Sequence, residues 1–139
     1  MSWPRAVLLD THAAIWLAAG HLSDELVERL VFAGLGDGVF VSPVSAWEIG
    51  LLASSEAGPR FEPDPQAWFS TLLAKPIIKL ADLTPSAAIA SATLPGDFHR
   101  DPADRMLVAT ARELNIPLVT RDSKIIAYAA SGHVQVLAC

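Results

Sequence analysis

Four acidic residues sit where a carboxylate needs a reason. Asp10 closes the apolar run RAVLL, and Asp122 follows IPLVT after a single intervening arginine. Glu48 lies inside SPVSAWEIG, and Asp104 inside HRDPADRMLVATA. Carboxylates gathered on one edge of a fold repel one another, and a divalent cation with oxygen preference, Mg²⁺ or Mn²⁺, relieves that repulsion. Such a set can orient a water for attack on phosphorus and neutralise the charge that develops. Other chemistries fit less well. His12, His21, His99 and His133 lack the short paired spacing of a zinc site, and the single cysteine, Cys139, has no intramolecular partner for a disulfide or a thiolate site.

The elements that must position these acids follow from the pattern around them. RAVLLD reads as a strand, and THAAIWLAAG as a helix closed by Gly20. Ser23 caps a helix over DELVERLVFAG, three glycines break the chain, and VFVS is the next strand. Ser42 with Pro43 opens PVSAWEIGLLAS, and SEAGPRFEPDP is the most loop-like segment. PQAWFSTLLA reads as a helix and PIIKLAD as a short strand, and Thr84 with Pro85 starts another helix. After the loop LPGDFHRD, Asp101 and Pro102 open a helix running to about Asn115, followed by strand IPLVT, helix DSKIIAYAA and strand VQVLA. Apolar strands alternating with helices predict an α/β fold, a three-layer α/β/α sandwich around a mostly parallel sheet of four to five strands.

In such sheets, sites form outside the carboxyl ends of the strands, where Asp10 and Asp122 lie. Aspartate at a strand-to-helix junction is also a common N-cap, so residue type alone does not separate the two roles. Glu48 and Asp104 are judged by direction instead. At about 100° per residue, Val44, Trp47, Leu51 and Leu52 form one stripe with Glu48 inside it, and Leu107, Val108, Ala111 and Leu114 form another that includes Asp104. An ionised carboxylate on a core-facing stripe needs a cation, a proton or an opening to water. Asp101 reads as the cap of its helix, with at most about 1 kcal/mol from the helix dipole, which explains an acid there but not the inward direction of Asp104.

The 139 residues suit one domain, are 52% hydrophobic and only 18% charged, and so predict apolar surface covered by a partner. No run reaches the roughly 18 to 20 apolar residues of a membrane span, and the opening MSWPRAVLLDTHAAIW lacks a secretory core, so a cytoplasmic setting is expected. A net charge of −5 argues against a nucleic-acid partner only while the acids are bare, because bound cations invert the local potential.

LLDTHAAIW, SPVSAWEIG, LPGDFHRDPADRMLVATA and LVTRD, in this order, resemble the PIN domain of VapC-type toxins from toxin–antitoxin pairs. The resemblance spans nearly the whole chain and implies a single PIN domain over residues 1–139. It implies a metal-dependent ribonuclease that forms a homodimer, is neutralised by a cognate VapB-type antitoxin, and uses Mg²⁺ or Mn²⁺ held by Asp10, Glu48, Asp104 and Asp122. Thr11 and Thr120 match the family's small hydroxyl positions, and His99 and Asp101 match a subgroup pattern around the third acid. Arg100, Arg105, Arg121 and Lys124 lie near the acids in sequence and are expected to hold RNA phosphates or to be solvated charge. Trp16, Trp47, Trp68 and Phe69 are expected either as anchors for an antitoxin helix or as core, the core role suiting Trp47 better than Trp68.

Two other readings remain open at this level. One is a PIN-type binding module acting mainly in an antitoxin complex on operator DNA, with the DNA contacts supplied by the partner because no recognition helix or basic arm is present. The other is a phospho-receiver domain, disfavoured because Thr11 rather than a second acid follows Asp10.

Overall fold

Strand β1 (Ala6–Leu9) is buried at every position and lies at the centre of the sheet. The computed structural model describes residues 2–139. Along the chain follow α1 (Thr11–Ala19), α2 (Asp24–Leu35), β2 (Gly38–Val41), α3 (Pro43–Ala53), α4 (Pro65–Leu73) and β3 (Ile78–Leu80). Then come α5 (Pro85–Ser91), α6 (Pro102–Leu114), β4 (Leu118–Thr120), α7 (Ser123–Ala130) and β5 (Val136–Ala138). The five strands run in the order β3-β2-β1-β4-β5, and every pairing is parallel. This is the α/β sandwich around a mostly parallel sheet that the sequence predicts, with five strands.

Side-chain alternation along β1 divides the core. Val7 and Leu9 pack with Ala13, Leu26, Leu30 and Leu72 on the face covered by α1, α2 and α4. Leu8 packs with Ala87, Leu107, Val108, Ile125 and Tyr128 on the face covered by α5, α6 and α7. Both faces of a parallel sheet must be covered, which is why its strands read as continuous apolar runs. Helix α3 belongs to neither layer alone, since it contacts α1 and α4 on one side and α6 on the other.

The helix starts follow the sequence closely. Asp10, Ser23, Ser42, Asp64, Thr84, Asp101 and Asp122 are N-caps, with proline in the first turn of α3, α4, α5 and α6. Gly20 ends α1 in the left-handed region at φ 76°, where its amide reaches the carbonyls of Leu17 and Trp16.

The connections leave β1 towards β2 and β3 on one side and return to β4 and β5 on the other. The order reverses between β1 and β4, and the helices that follow these two strands splay apart there. This switch point opens a crevice at the carboxyl ends of the strands. No described helix is long and apolar enough to cross a membrane.

Candidate active site

A cleft of about 460 Å³ occupies the switch point, lined by Asp10, Thr11, His12, Trp16, Glu48, Asp101, Asp104, Leu107, Arg121 and Asp122. Asp10 comes from the end of β1, Asp122 from the end of β4, Glu48 from α3, and Asp101 and Asp104 from the start of α6. Five acids from four places in the chain thus share one opening, because β1 and β4 are hydrogen-bonded neighbours and α3 spans both helical layers.

Capping and site membership are the same act here. Asp10 Oδ1 accepts from the Ala13 amide at 2.7 Å, and Asp122 Oδ1 accepts from Lys124 and Ile125 at 2.8 and 3.1 Å. Asp101 Oδ1 accepts from the Asp104 amide at 3.0 Å. In each case one carboxylate oxygen fixes the rotamer at a helix N-terminus, and the second receives no cap amide. The two hydroxyl residues tie the acids together. Thr120 donates to Asp10 and accepts from the Asp122 amide at 3.0 Å, so one buried side chain links the two strand-end acids. Thr11 donates to Glu48 and lies 3.0 Å from Ser45 Oγ. Ser45 was not singled out from the sequence; its position three residues before Glu48, on the same face of α3, was the available signal.

The electrostatics rise towards Asp104. Burial raises the Asp10 carboxyl, opposed by Thr120 and the Ala13 amide, with the Asp122 charge adding to the rise. Burial also raises Glu48, opposed by the Thr11 hydrogen bond and reinforced by Asp101 and Asp10. Asp104 goes furthest, to about 7, first through burial and then through the charges of Asp101, Asp122, Glu48 and Asp10. It alone is raised by all four other acids, which is the physical meaning of its inward direction. His99 stands behind it, with Nε2 3.1 Å from Asp104 Oδ2 but not aligned as a hydrogen bond, and Nδ1 accepting from the Asp101 amide at 3.4 Å.

Of the four expected phosphate-binding cations, only Arg121 lines the cleft. Arg100 and Lys124 are exposed outside it. Arg105, expected to hold RNA phosphates or to be solvated charge, is bonded within the fold. Its guanidinium donates to the carbonyls of Ser91, Phe98 and His99 at 2.7, 3.0 and 3.1 Å and reaches Ala92 at 3.5 Å. These donors hold together the two ends of the 92–101 loop that presents His99 and Asp101, so the guanidinium is engaged by backbone carbonyls and does not line the cleft. The aromatic expectation also reverses in part. Trp47 is 53% exposed and borders an apolar groove with Pro43, Val44, Leu83, Pro102 and Met106, whereas Trp68 packs edge-on against buried Phe61.

A donor set dominated by carboxylates, with hydroxyls beside them, suits a hard cation. Among the described residues no three acidic or histidine side chains already close on a single ion position. A hydrated Mg²⁺ or Mn²⁺, which keeps several waters and binds through one or two carboxylates, does not require three. The raised carboxyls of Asp10, Glu48 and Asp104, each through burial first and acidic neighbours after, point the same way, because a cation lowers the cost of ionising them together.

Comparison with known proteins identifies the family and the fold. The model of the PIN domain family matches residues 7–131. The chain is 34% identical over 121 residues to "Ribonuclease VapC22" of Mycobacterium tuberculosis (strain ATCC 25618 / H37Rv), covering 86% of this chain and 88% of that protein. In fold it is similar to VapBC2 of Rickettsia felis, solved bound to a fragment of promoter DNA, with TM-score 0.71 at 14% identity over 96% of this chain and 98% of that one. It is likewise similar to the toxin–antitoxin structure VapBC-5 of Mycobacterium tuberculosis, with TM-score 0.62 at 18% identity over 98% of this chain and 100% of that one.

Proposed function

The chain belongs to the PIN-domain family and is a homologue of the VapC ribonucleases, and from that premise we propose that its acidic cleft is the active site of a Mg²⁺- or Mn²⁺-dependent endoribonuclease. The observation that carries the reading is Asp104, raised to about 7 by burial and by four neighbouring carboxylates at the sheet's switch point. A fold does not collect five acids around one opening for stability, since like charges brought together only cost free energy.

Asp10, Asp104 and Asp122 would hold the cation, with Glu48 as a further ligand or the group that positions water. The bound cation supplies positive charge to the scissile phosphate and eases ionisation of water at neutral pH. The reaction is hydrolysis of a phosphodiester, in which water adds to phosphorus, one P–O bond breaks and the departing oxygen takes up a proton. Thr11 holds Glu48 at a fixed rotamer and Thr120 holds Asp10, so both carboxylates meet the substrate without reorganising. Asp101 caps α6 and with His99 fixes the approach to Asp104.

By the same reading the whole chain, residues 1–139, is one toxin domain that works in the cytoplasm, pairs with itself and is neutralised by a VapB-type antitoxin. Trp47 and Leu51, 53% and 52% exposed, together with the apolar groove beside α3, support a covered surface on this side of the molecule. A role confined to operator DNA has less support, because a module whose DNA contacts come from its partner has no use for a cleft lined by five acids.

Single-stranded RNA should be cut in Mg²⁺ or Mn²⁺ and left intact in chelator, and Asp10→Asn should abolish cutting while the circular dichroism of the fold is kept. Full activity in chelator, or turnover by the Asp10→Asn protein at the wild-type rate, would remove the assignment.

A further inference from the structure

Opposite the acids, the cleft has a wall of a different kind. Trp16 from α1 is half-buried, with its inner part packed against the core cluster of α1, α2 and α4. Its outer part lines the cleft beside His12, whose ring centroid is 5.7 Å away at 42°. The guanidinium carbon of Arg121 lies 4.0 Å over the indole ring. Arg121 Nε also donates to the Cys139 backbone oxygen at 3.0 Å. A cation bordering five carboxylates would be expected to pair with one of them, yet among the described residues Arg121 makes no salt bridge with any of the five. It is held instead by an aromatic face and a backbone oxygen.

We propose, on the basis of the nuclease reading above, that Trp16 and Arg121 form a stacking platform for an unpaired base of the RNA next to the cleavage site. An indole anchored in the core and a guanidinium restrained at two points lose little further freedom when a ligand arrives. Bases splayed out of a single strand stack on aromatic rings and on guanidinium planes, whereas bases inside a duplex already have their neighbours. The terminal nitrogens of Arg121 accompany the base by donating to an adjacent phosphate oxygen. The composition of the chain demands something of this sort. With 10 Lys and Arg against 15 Asp and Glu, and with Arg105, Arg100 and Lys124 outside the cleft, attraction for the phosphate backbone alone is weak. Stacking is the interaction that tolerates an acidic protein, and it selects single-stranded loops and ends as the substrate class.

Binding is measured by fluorescence anisotropy in Mg²⁺, in the Glu48→Gln background so that the RNA stays uncut. The probes are a labelled single strand of about 12 nucleotides and mixed sequence, its duplex, and an abasic ribose-phosphate oligomer of the same length. The single strand should bind more tightly than the duplex. Trp16→Ala, Arg121→Ala and Arg121→Lys should each weaken single-strand binding about 5- to 100-fold, the range that loss of one stacked base gives. Trp16→Phe should stay within about threefold, which separates a lost platform from a damaged fold; neither Trp16 change should alter binding of the abasic oligomer, and Arg121→Ala, which also removes a phosphate contact, should weaken it less than it weakens the intact single strand. Unchanged binding in the alanine variants, an equal loss on the abasic oligomer, or an Arg121→Lys protein that binds like its parent would each overturn the platform. The nuclease reading fails separately, if protein with Glu48 intact leaves the same single strand uncut in Mg²⁺ and Mn²⁺.

Discussion

Helices α3 and α6 both deliver a carboxylate to the cleft, and they do it by opposite means. On α6 the apolar stripe is core except at its last residue: Leu107, Val108 and Ala111 are buried, Leu114 at the helix end is exposed, and Asp104 extends the stripe to the edge of the cleft. On α3 the residues that face inward are Val44, Ser45 and Ile49, while Trp47 and Leu51 of the expected stripe are more than half exposed. Glu48 reaches the cleft beside Ser45, not beside a wall of leucines. The difference lies in composition. Helix α6 has a charged face, Arg112 and Glu113 among it, so its apolar side is unambiguous. PVSAWEIGLLA is apolar nearly all round, so periodicity cannot choose a face, and the small hydroxyl that meets Thr11 does.

The contrast is tested first in the core. Leu107, 1% exposed, lies under the cleft on the α6 stripe, and Leu107→Ala should cost about 3 kcal/mol in a denaturant melt. A loss below about 1 kcal/mol would mean that the α6 stripe is not the packed face described here.

The next effect is electrostatic and separates the two acids. Asp104 keeps its proton to about pH 7 in the folded chain and releases it near 3.8 when unfolded, so the folded state binds more protons in between. Stability in chelator should therefore fall as pH rises from about 4 to 7 and level off above, with Asp10 and Glu48 pushing the same way. Asp104→Asn removes the largest part of this cost and should stabilise the metal-free protein by about 2 kcal/mol at pH 8 and by almost nothing at pH 4. Glu48→Gln should gain less, because the Thr11 hydrogen bond already offsets part of the burial of Glu48. Paired melts at the two pH values decide it: an Asp104→Asn protein that is less stable than wild type at pH 8 would make Asp104 a structural residue. Saturating Mg²⁺ should reverse the order, since it stabilises only the chain that keeps the carboxylate.

How much of this was legible beforehand depends on the range of the interactions involved. The strand and helix order, the caps and the convergence of Asp10 with Asp122 were readable, because apolar period, cap chemistry and proline placement are local signals. The strand order and the wholly parallel sheet could be expected only as a class. Arg105 was read as a surface cation since nothing near it in sequence shows that the carbonyls of Ser91 and Ala92, on the far side of a loop, come within its reach. The partnership of Trp16 with Arg121 spans even more of the chain and depends on α1 and the end of β4 meeting over the cleft. Both misses involve arginine, a side chain long enough for its contacts to be set by tertiary structure alone.

The smallest expected effect is the most direct test of α3. If the Trp47 and Leu51 stripe were core, Leu51→Ala would cost as much as Leu107→Ala, since both remove the same atoms from a helix interior position. At 52% exposure, Leu51 has little to lose in the isolated chain, and alanine is the better helix former. The change should move the denaturation midpoint by less than about 0.5 kcal/mol at low protein concentration. A loss approaching that of Leu107→Ala under those conditions would bury α3 in the core and erase the distinction between the two helices. A loss that emerges only at concentrations where the chain self-associates would instead locate Leu51 at an interface, because stability borrowed from a partner depends on how much partner is present.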